Sequence, residues 1–322
     1  MSRIGGSLRR VIFGTLCHLT VTVACLASLA LAGSDDGPLP MQQVAQGVYM
    51  HAGHQATSDA VNHGDIANIG FIVGERCVAV IDSGGSRQIG ERLRRAVRAA
   101  TPLPVCYVIN THVHPDHVFG NAAFRTGPTP PVFVGHARLA AALAARGANY
   151  QRALLRDVGA AAAGSEIVPP DVAVDRTLTL DLGGRPLQLR AWPTAHTDND
   201  LSILDETTGT LWLSDLLFAG HTPVVDGSLR GWLAVIAELA RLQPRHVIGG
   251  HGDASDWRRA LADQARYLRV LLDETRAAIR AGQTLSEAVE SVGQSERERW
   301  LLFDDFHRRN VTAAYAELEW EN

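Results

Sequence analysis

The sequence predicts an α/β protein built as a four-layer αββα sandwich. Two observations favour this class: strand-like segments fall into two groups along the chain, and segments with helical spacing follow strands in both groups. No linker rich in Pro or Gly separates the groups, so we expect one domain in which two sheets pack face to face between outer helices. Since 46% of the 322 residues are hydrophobic, the chain can bury the large core that this arrangement needs.

The first group of strands is predicted in the amino-terminal third of the chain. Apolar residues alternate along three short segments, and Gly74-Glu75-Arg76 is typical of a hairpin turn between two of them. A loop at 51–67 separates the other pair, and its three histidines, His51, His54 and His63, are expected to be solvated. The elements predicted here are strands at 47–50, 69–73 and 77–82, a helix at 86–100 and a strand at 105–110.

The second group of strands is predicted after a helical region. Residues 137–160 are rich in Ala and Leu and are expected to form two helices, and Gly183-Gly184 is expected to turn a hairpin. The tail beyond Ser255 is predicted to be helical, because Gly282 can end one long helix and Thr284-Leu285-Ser286-Glu287 has the pattern of a capping box. The other elements predicted here are strands at 178–182, 187–192, 201–204, 211–213 and 246–248 and a helix at 228–242.

The first residues have the pattern of a signal peptide. Arginines precede an uncharged apolar segment, 11–32, which ends in Ala30-Leu31-Ala32, with small residues at the two positions that a signal peptidase recognises. We therefore expect a signal peptide at 1–32 and a mature protein in the periplasm or outside the cell. An uncleaved membrane anchor is the alternative, because the apolar segment is long enough to span a bilayer. The mature chain is predicted as one domain at 33–253 with a helical extension at 254–322 that packs on it.

Charge and cysteine content narrow the classes of protein further. The formal net charge is −4 and no basic stripe follows the amino terminus, so nucleic acid is not expected as a partner, since phosphate binding needs clustered Lys and Arg. Cys17 and Cys25 lie in the predicted signal peptide. Cys77 and Cys106 each lie in an apolar strand, where they form either two small buried hydrophobes or, in an oxidising compartment, a disulfide. The sequence does not indicate an oligomeric state.

The strongest local signal is the segment Thr111-His112-Val113-His114-Pro115-Asp116-His117. It follows a predicted strand, so His112 and His114, two apart in extended chain, point to the same side. Pro115 keeps His114 out of the helical conformation and fits the first position of a helix, so the pair Asp116-His117 begins a helical turn and projects elsewhere. Imidazole and carboxylate groups concentrated at one strand-to-helix junction indicate a metal site.

This segment resembles the HxHxDH motif of the metallo-β-lactamase superfamily, and the resemblance extends over residues 41–253. His196, Asp215 and His251 stand where that family has its next histidine, its bridging aspartate and its last histidine. The resemblance implies the αββα metallo-β-lactamase fold and a site for two metal ions. One metal would be held by His112, His114 and His196 and the other by Asp116, His117 and His251, with Asp215 and a water between them.

The chemistry of these residue types supports a hydrolytic site. Neutral imidazoles with an open coordination position are typical of catalytic zinc, whereas structural zinc is closed by four ligands, often thiolates. Two zinc ions are therefore the expected cofactors, with iron and manganese as alternatives. The expected reaction is cleavage of an ester, thioester, lactone or amide bond in a small-molecule substrate by a metal-bound hydroxide. Asp116 is the expected catalytic carboxylate, which would orient or transfer the proton.

Two further blocks narrow the resemblance. The segments Gly64–Val73 and Ala195–Asp200, together with an aspartate at position 215, are similar to an exported branch of the superfamily, the quinoprotein relay system zinc metallohydrolases, with a metal site of the glyoxalase II type. The branch implies an association with a quinoprotein (PQQ) dehydrogenase system. Two other functions stay open: a β-lactamase, which Asp215 disfavours because lactamases of the family have Cys there, and a non-hydrolytic metal-binding accessory protein of such a dehydrogenase.

Two residues outside the motif are further candidates for the site. Asp82 ends a strand, where it either holds the second nitrogen of a ligand histidine or caps a turn or helix. His221 lies six residues beyond Asp215 in a loop expected to face the metals. It either contacts substrate or a ligand, or it is an exposed loop histidine.

Overall fold

Two β-sheets carry the fold, and their strands fall into the two groups that the sequence predicts. The first sheet has seven strands in sequential order. They are β1 (Gln42–Ala45), β2 (Val48–His51), β3 (Ile69–Val73), β4 (Val78–Ile81), β5 (Val105–Ile109), β6 (Val132–His136) and β7 (Val172–Val174). Pairing is antiparallel from β1 to β4 and parallel from β4 to β7.

The second sheet has five strands in the order β12-β11-β10-β9-β8. They are β8 (Thr177–Asp181), β9 (Pro186–Ala191), β10 (Leu201–Asp205), β11 (Thr210–Phe218) and β12 (His246–His251). β11 and β12 are parallel, and the other neighbours are antiparallel. The parallel pair matters for the site, because both strands deliver their carboxyl ends to the same edge of the sandwich.

Helices cover the outer faces of both sheets. They are α1 (Arg87–Ala100), α2 (Pro115–Val118), α3 (Leu139–Asp157), α4 (Leu229–Leu239), α5 (Trp257–Arg280), α6 (Leu285–Ser291) and α7 (Phe303–Leu318). Short 3-10 helices lie at Asn121–Phe124, Gly159–Ala162 and Gln294–Arg299. Local signals explain several ends: the Ser86 side chain accepts a hydrogen bond from Ile89 N at the start of α1, and Thr284 and Glu287 form the predicted capping box of α6.

Three apolar layers hold the sandwich together. Between the sheets, Ile81 and Ile109 of the first pack in one buried cluster with Leu189 and Trp212 of the second. A second cluster joins the outer face of the first sheet to α1, and a third joins the outer face of the second sheet to α4, α5, α6 and α7. Full burial of one such side chain contributes about 1.5–3 kcal/mol. The predicted four-layer αββα arrangement is confirmed.

The computed structural model describes residues 1–2, 5–6, 37–127 and 129–321. The predicted signal peptide, with Cys17 and Cys25, lies almost wholly outside these residues, so its cleavage stays a prediction. Gly37–Asn322 form a single compact unit, and the boundary predicted at 253 between domain and extension also stays a prediction. No helix in the described ranges is long and apolar enough to cross a membrane.

Some elements differ from the prediction. Residues 137–160 form one helix, α3, followed by a 3-10 turn, and not two helices. Gly147 lies inside α3, where the end of the Ile167 side chain packs close to its Cα, so this glycine permits close packing within a continuous helix. β1, β6 and β7 were not predicted. β11 runs to Phe218, well past the predicted end at 213, because backbone pairing continues through the polar Ser214-Asp215.

Cys77 and Cys106 are joined by a disulfide, with 5.8 Å between their Cα atoms. The bond links the residue before β4 to the second residue of β5, at the amino-terminal ends of two parallel neighbours. Of the two alternatives that the sequence leaves open for this pair, the structure has the disulfide.

The double substitution Cys77→Ala with Cys106→Ala is expected to lower the free energy of unfolding by about 2–4 kcal/mol, because the bond no longer restricts the unfolded chain. Urea denaturation of the mature protein without reductant measures this. A reductant should destabilise the wild type to a similar extent and leave the double variant unchanged. Equal stability of variant and wild type would contradict the prediction.

Candidate metal centre

The histidine-rich segment leaves the carboxyl end of β5 and enters α2, as the sequence predicts. His114 is the residue that precedes α2, and its backbone is extended, with φ −66° and ψ 148°. Pro115 takes the first helical position. Because proline disfavours a helical residue before it, His114 and Asp116 leave this junction in different directions.

His112, His114, His196 and Asp215 form the first group of side chains, whose candidate ligand atoms all lie within 4.8 Å of one another. His196 Nε2 lies 3.0 Å from His114 Nδ1 and 3.3 Å from Asp215 Oδ2. His112 Nε2 lies 3.6 Å from the same carboxylate oxygen. His196 comes from the loop after β9, so three separate chain segments supply this group.

Asp116, His117 and His251 form the second group, again with candidate ligand atoms within 4.8 Å of one another. Asp116 Oδ2 lies 3.5 Å from His117 Nε2 and 3.4 Å from His251 Nε2. His251 is the last residue of β12, and the other two come from the first turn of α2. The structure therefore brings all seven side chains of the predicted site into two adjoining groups.

The Asp215 carboxylate lies between the two groups. In addition to its contacts with the first group, its Oδ1 lies 3.2 Å from His117 Nε2 and its Oδ2 lies 3.4 Å from His251 Nε2. Asp215 lies on β11 where the pairing with β12 is irregular, and Gly250 of β12 faces it. A Cβ at position 250 would collide with Asp215 Oδ1, so a glycine is needed there.

The other ring nitrogen of each histidine has a hydrogen-bond partner of its own. Such contacts fix the orientation and the tautomer of an imidazole, and they leave the opposite nitrogen free to bind a cation. The pairs are His112 Nδ1 with Thr111 Oγ1 (3.0 Å), His114 Nε2 with Asp226 Oδ2 (3.0 Å), His117 Nδ1 with Asp82 Oδ2 (2.8 Å), His196 Nδ1 with Val224 O (2.7 Å) and His251 Nδ1 with Ile66 O (2.9 Å).

Asp82 is fully buried directly behind His117. Besides the His117 contact, its carboxylate accepts hydrogen bonds from Thr111 N (2.8 Å) and from Thr111 Oγ1 (2.7 Å). Asp82 and the neighbouring Ser214 both have left-handed backbones, with φ of 54° and 49°. Such residues cost about 1–3 kcal/mol each and persist where surrounding contacts enforce them. Of the two roles considered for Asp82, the geometry matches the contact with a histidine.

Burial and charge act in opposite directions on the pKa values of these residues. Burial lowers the pKa of His112 well below its usual value and lowers the pKa of His196 to about 3. Burial alone would also lower the pKa of His117 and His251, but the surrounding carboxylates, Asp215 first and then Asp116, together raise both. The pKa of Asp215 is low despite its burial, because His251 and His117 favour its charged form. The site therefore combines neutral imidazoles at His112 and His196 with an ionised Asp215 carboxylate, whose negative charge favours the protonated forms of His117 and His251.

His221 is buried, so its interpretation as an exposed loop histidine is wrong. Its ring stacks on His251 with 4.9 Å between centroids, and the ring of Phe306 of α7 also packs against it, with 5.3 Å between centroids. Nδ1 lies 2.8 Å from Thr222 O. Burial lowers the pKa of His221 to about 4, so the ring is neutral and packs against the candidate ligand His251.

His51 also differs from its prediction as a solvated residue. It is buried, with Nε2 2.8 Å from Asp65 Oδ1 and Nδ1 3.0 Å from Pro40 O. These two contacts fix the start of the 51–67 loop. The same loop contains Ile66, whose carbonyl oxygen contacts His251 Nδ1. His54 is exposed, as expected, and His63 is half-buried.

Several residues of the site were missed in the sequence. Thr111 stands beside His112 in the motif, and a hydroxyl next to a candidate ligand was a usable signal. Asp226 was not detectable, because nothing in its local pattern marks it and it reaches His114 across 112 positions of sequence. Asp200 lies buried in the loop that carries His196, where its carboxylate accepts hydrogen bonds from Thr197 N and Thr197 Oγ1.

The residues present fit a divalent cation. Within the described ranges, His112 Nε2, His117 Nε2 and Asp215 Oδ1 are buried and make no hydrogen bond. Such atoms are costly unless something else binds them. Imidazoles with carboxylates form a donor set that suits zinc, and also iron or manganese.

Comparison with known protein families gives a match over most of this region. The profile of the Metallo-beta-lactamase superfamily matches residues 64–251, which is more than half of the chain. That range contains all seven residues of the two groups. A comparison of the sequence with curated proteins gives no significant match.

Solved structures with this fold are numerous. A metallo-beta-lactamase from Pontibacter korlensis has a TM-score of 0.57 and 19% identity, covering 72% of this chain and 99% of its own. TMB-1 has a TM-score of 0.55 and 15% identity, with coverage of 72% and 97%. The metallo-beta-lactamase FIM-1 from Pseudomonas aeruginosa, solved in a mono-zinc form, has a TM-score of 0.54 and 16% identity, also covering 72% and 97%. At these identities the likeness shows the fold.

Zinc is expected to raise the thermal unfolding midpoint of the metal-free protein. Folding brings together nitrogen and oxygen atoms that are buried without hydrogen-bond partners, and the unfolded chain does not offer zinc this arrangement. At about 1,000 times its dissociation constant, a bound ligand adds about 4 kcal/mol of stability per site. Differential scanning calorimetry with zinc and with EDTA measures the effect. Magnesium is the control and should have little effect, since it prefers oxygen ligands. An unchanged midpoint with zinc would contradict the prediction.

Proposed function

The chain belongs to the metallo-beta-lactamase superfamily of hydrolases, and on that premise we propose that it is an exported enzyme with two zinc ions. Its substrate would be a small molecule with an ester, thioester, lactone or amide bond. The observation that carries this proposal is the position of Asp215, whose carboxylate lies within 3.6 Å of imidazole nitrogens from both groups.

His112, His114 and His196 would hold one zinc ion, and Asp116, His117 and His251 the other, with Asp215 between them. Two bound cations would lower the pKa of a water to about 7 and polarise the carbonyl oxygen of the substrate. The chain would supply the rest: fixed ring orientations, a buried site, and carboxylates that accept a proton. Iron or manganese could replace zinc in the same donor set.

Asp116 is the carboxylate best placed for proton transfer. Its side chain is 13% exposed, against 4% for Asp215, so it can reach both the buried site and a bound substrate. Its Oδ2 lies against His117 and His251, which would position it beside the reacting water. A carboxylate there can take the proton released on attack and return it to the leaving group.

The link to a quinoprotein (PQQ) oxidation system rests on the blocks at Gly64–Val73 and Ala195–Asp200. Residues of the first block contact the site: Ile66 O accepts from His251, and Asn68 Nδ2 donates to Gly249 O and Gly252 O on either side of it. The second block carries His196. The blocks therefore shape the metal site itself, which supports placing the chain in that branch.

A β-lactamase is the second candidate, because solved metallo-beta-lactamases share the fold. Asp215 favours the glyoxalase II type of site. Lactamases of the family have Cys at this position, and here a carboxylate takes the place of that thiolate. A purely metal-binding accessory role is the outcome that turnover experiments would have to exclude.

The substitutions His112→Ala and Asp116→Asn are each expected to abolish turnover of any substrate while leaving the fold largely intact, because both side chains face the site and not the apolar layers. Activity assays on the mature variants, with circular dichroism as the control for folding, test this. Trp320→Ala is a matched control, since Trp320 is exposed and distant in sequence from the motif. Full activity in either site variant would refute the assignment.

Metal analysis of the purified mature protein, coupled to hydrolysis of thioesters, lactones and a chromogenic cephalosporin, tests the proposal as a whole. We expect about two metals per chain and turnover of an ester-type substrate. Cephalosporin turnover as the main activity would favour a β-lactamase. Two metals without turnover of any substrate would favour the accessory role.

Export is supported by the signal-peptide pattern and by the Cys77–Cys106 disulfide, since such bonds persist in oxidising compartments. The mature protein is expected to start at Gly33 and to appear in the periplasmic fraction or the medium. Amino-terminal sequencing of protein expressed with its full leader measures this. Substitution of Ala30 and Ala32 by Arg should block cleavage. Membrane-bound protein with an intact amino terminus would instead support the anchor.

A further inference from the structure

We infer that helix α7 sets the positions of two proposed metal ligands, His114 and His196, through the loop 219–228 between β11 and α4. Asn310 and Arg309 of α7 would act as positioning residues. The inference rests on the proposed metal site and adds a role for the C-terminal helices, which lie beyond the region matched by the family profile.

The loop lies directly behind the two histidines. Val224 O is 2.7 Å from His196 Nδ1, and Asp226 Oδ2 is 3.0 Å from His114 Nε2. The backbone N–H of Asp226 also donates to His196 O at 3.1 Å. A displacement of this loop would therefore move two of the three imidazoles of the first group, those of His114 and His196.

Asn310 holds the loop on both sides of Val224. Its side chain is fully buried, with Oδ1 accepting from Val225 N at 2.9 Å and Nδ2 donating to Pro223 O at 2.6 Å. Nδ2 also donates to Tyr267 Oη at 2.8 Å. Because the amide is used at both ends, its orientation is fixed and with it the direction of the Val224 carbonyl.

Asn310 is itself anchored by a buried chain of hydrogen bonds. Tyr267 Oη of α5 lies 3.0 Å from His307 Nδ1, and His307 Nε2 lies 2.8 Å from Val292 O. The carbonyl requires a proton on Nε2, so Tyr267 donates to Nδ1 and its oxygen accepts from Asn310. The path from α5 and α7 to the Val224 carbonyl therefore contains only satisfied, directional contacts.

A second set of contacts holds Asp226 and the start of the loop. Arg309 Nη2 lies 3.1 Å from Asp226 Oδ1, and Arg146 of α3 pairs with Oδ2. Thr222 N donates to Leu301 O at 3.0 Å, and Leu301 N donates to Gly220 O at 2.9 Å. Three residues of the segment 301–310 therefore hold this loop: Leu301, Arg309 and Asn310.

The second group has different supports. The His117 ring is held by Asp82 and the His251 ring by Ile66 O, and neither support contacts Asn310. The start of the loop also reaches His251, through the stacked His221, but Asn310 bonds to the loop further along, at Pro223 and Val225. If Asn310 only stabilised the fold, its loss would weaken both metal sites or neither. If it positions His114 and His196, only the first site should weaken.

The test compares Asn310→Ala with His307→Ala in the full mature chain. His307 lies on the same helix and in the same buried chain of hydrogen bonds but does not touch the loop, so it controls for general loss of stability. Zinc affinity is measured by competition with a chromophoric chelator. Each substitution is made in His251→Ala protein, which retains the first group, and in His196→Ala protein, which retains the second.

Asn310→Ala is expected to weaken zinc binding about 10- to 100-fold in the His251→Ala background and less than about twofold in the His196→Ala background. His307→Ala removes a more distant anchor but leaves the bonds of Asn310 to Pro223 and Val225, so it should lower the unfolding midpoint and change neither affinity by more than about twofold. Equal effects of the two substitutions on zinc affinity would overturn the inference.

Asp226→Asn provides a second measurement if Asn310→Ala does not fold, since Asp226 is partly exposed and outside the apolar layers. It should weaken the first site by a similar factor, and unchanged affinity would count against the inference. The proposed function fails separately: wild-type protein that binds no zinc would refute the metal site itself. Wild type with two zinc ions and unaltered positioning variants would refute the inference alone.

Discussion

One buried carboxylate, that of Asp215, constrains the rest of this structure. A charge removed from water costs several kcal/mol unless groups around it compensate, and here four imidazoles on three separate chain segments surround it. Gly250 leaves space for it, at a point where the pairing of β11 with β12 is irregular. The two sheets must meet in a fixed register for these histidines to reach one oxygen pair.

Most of the fold and the four candidate ligands of the 112–117 segment could be predicted from the sequence, because their signals are local. Apolar alternation marks strands, and Pro115 after His114 marks the start of a helix whatever the rest of the chain does. Only the resemblance to the family identified His196, Asp215 and His251 as members of the site, because no local pattern indicates that distant residues converge. Their common position at strand ends is what makes the resemblance physically reasonable.

The parts that were missed depend on contacts between distant segments. His221 lies in a loop, and its burial was not predicted because it packs against Phe306 of α7, which lies 85 positions further along the chain. Asp226 and Asn310 have ordinary sequence surroundings, and their importance follows from hydrogen bonds that only the folded chain creates.

The Cys77–Cys106 bond has a consequence for metal selectivity. Thiolates bind soft and borderline cations more tightly than imidazoles do, and they draw copper as well as zinc. In the described part of the chain both cysteines are consumed by the bond, so no sulfur anion competes for an incoming ion. Oxidative folding before metal uptake would therefore leave the imidazole and carboxylate ligands of the site without a competing thiolate in that region.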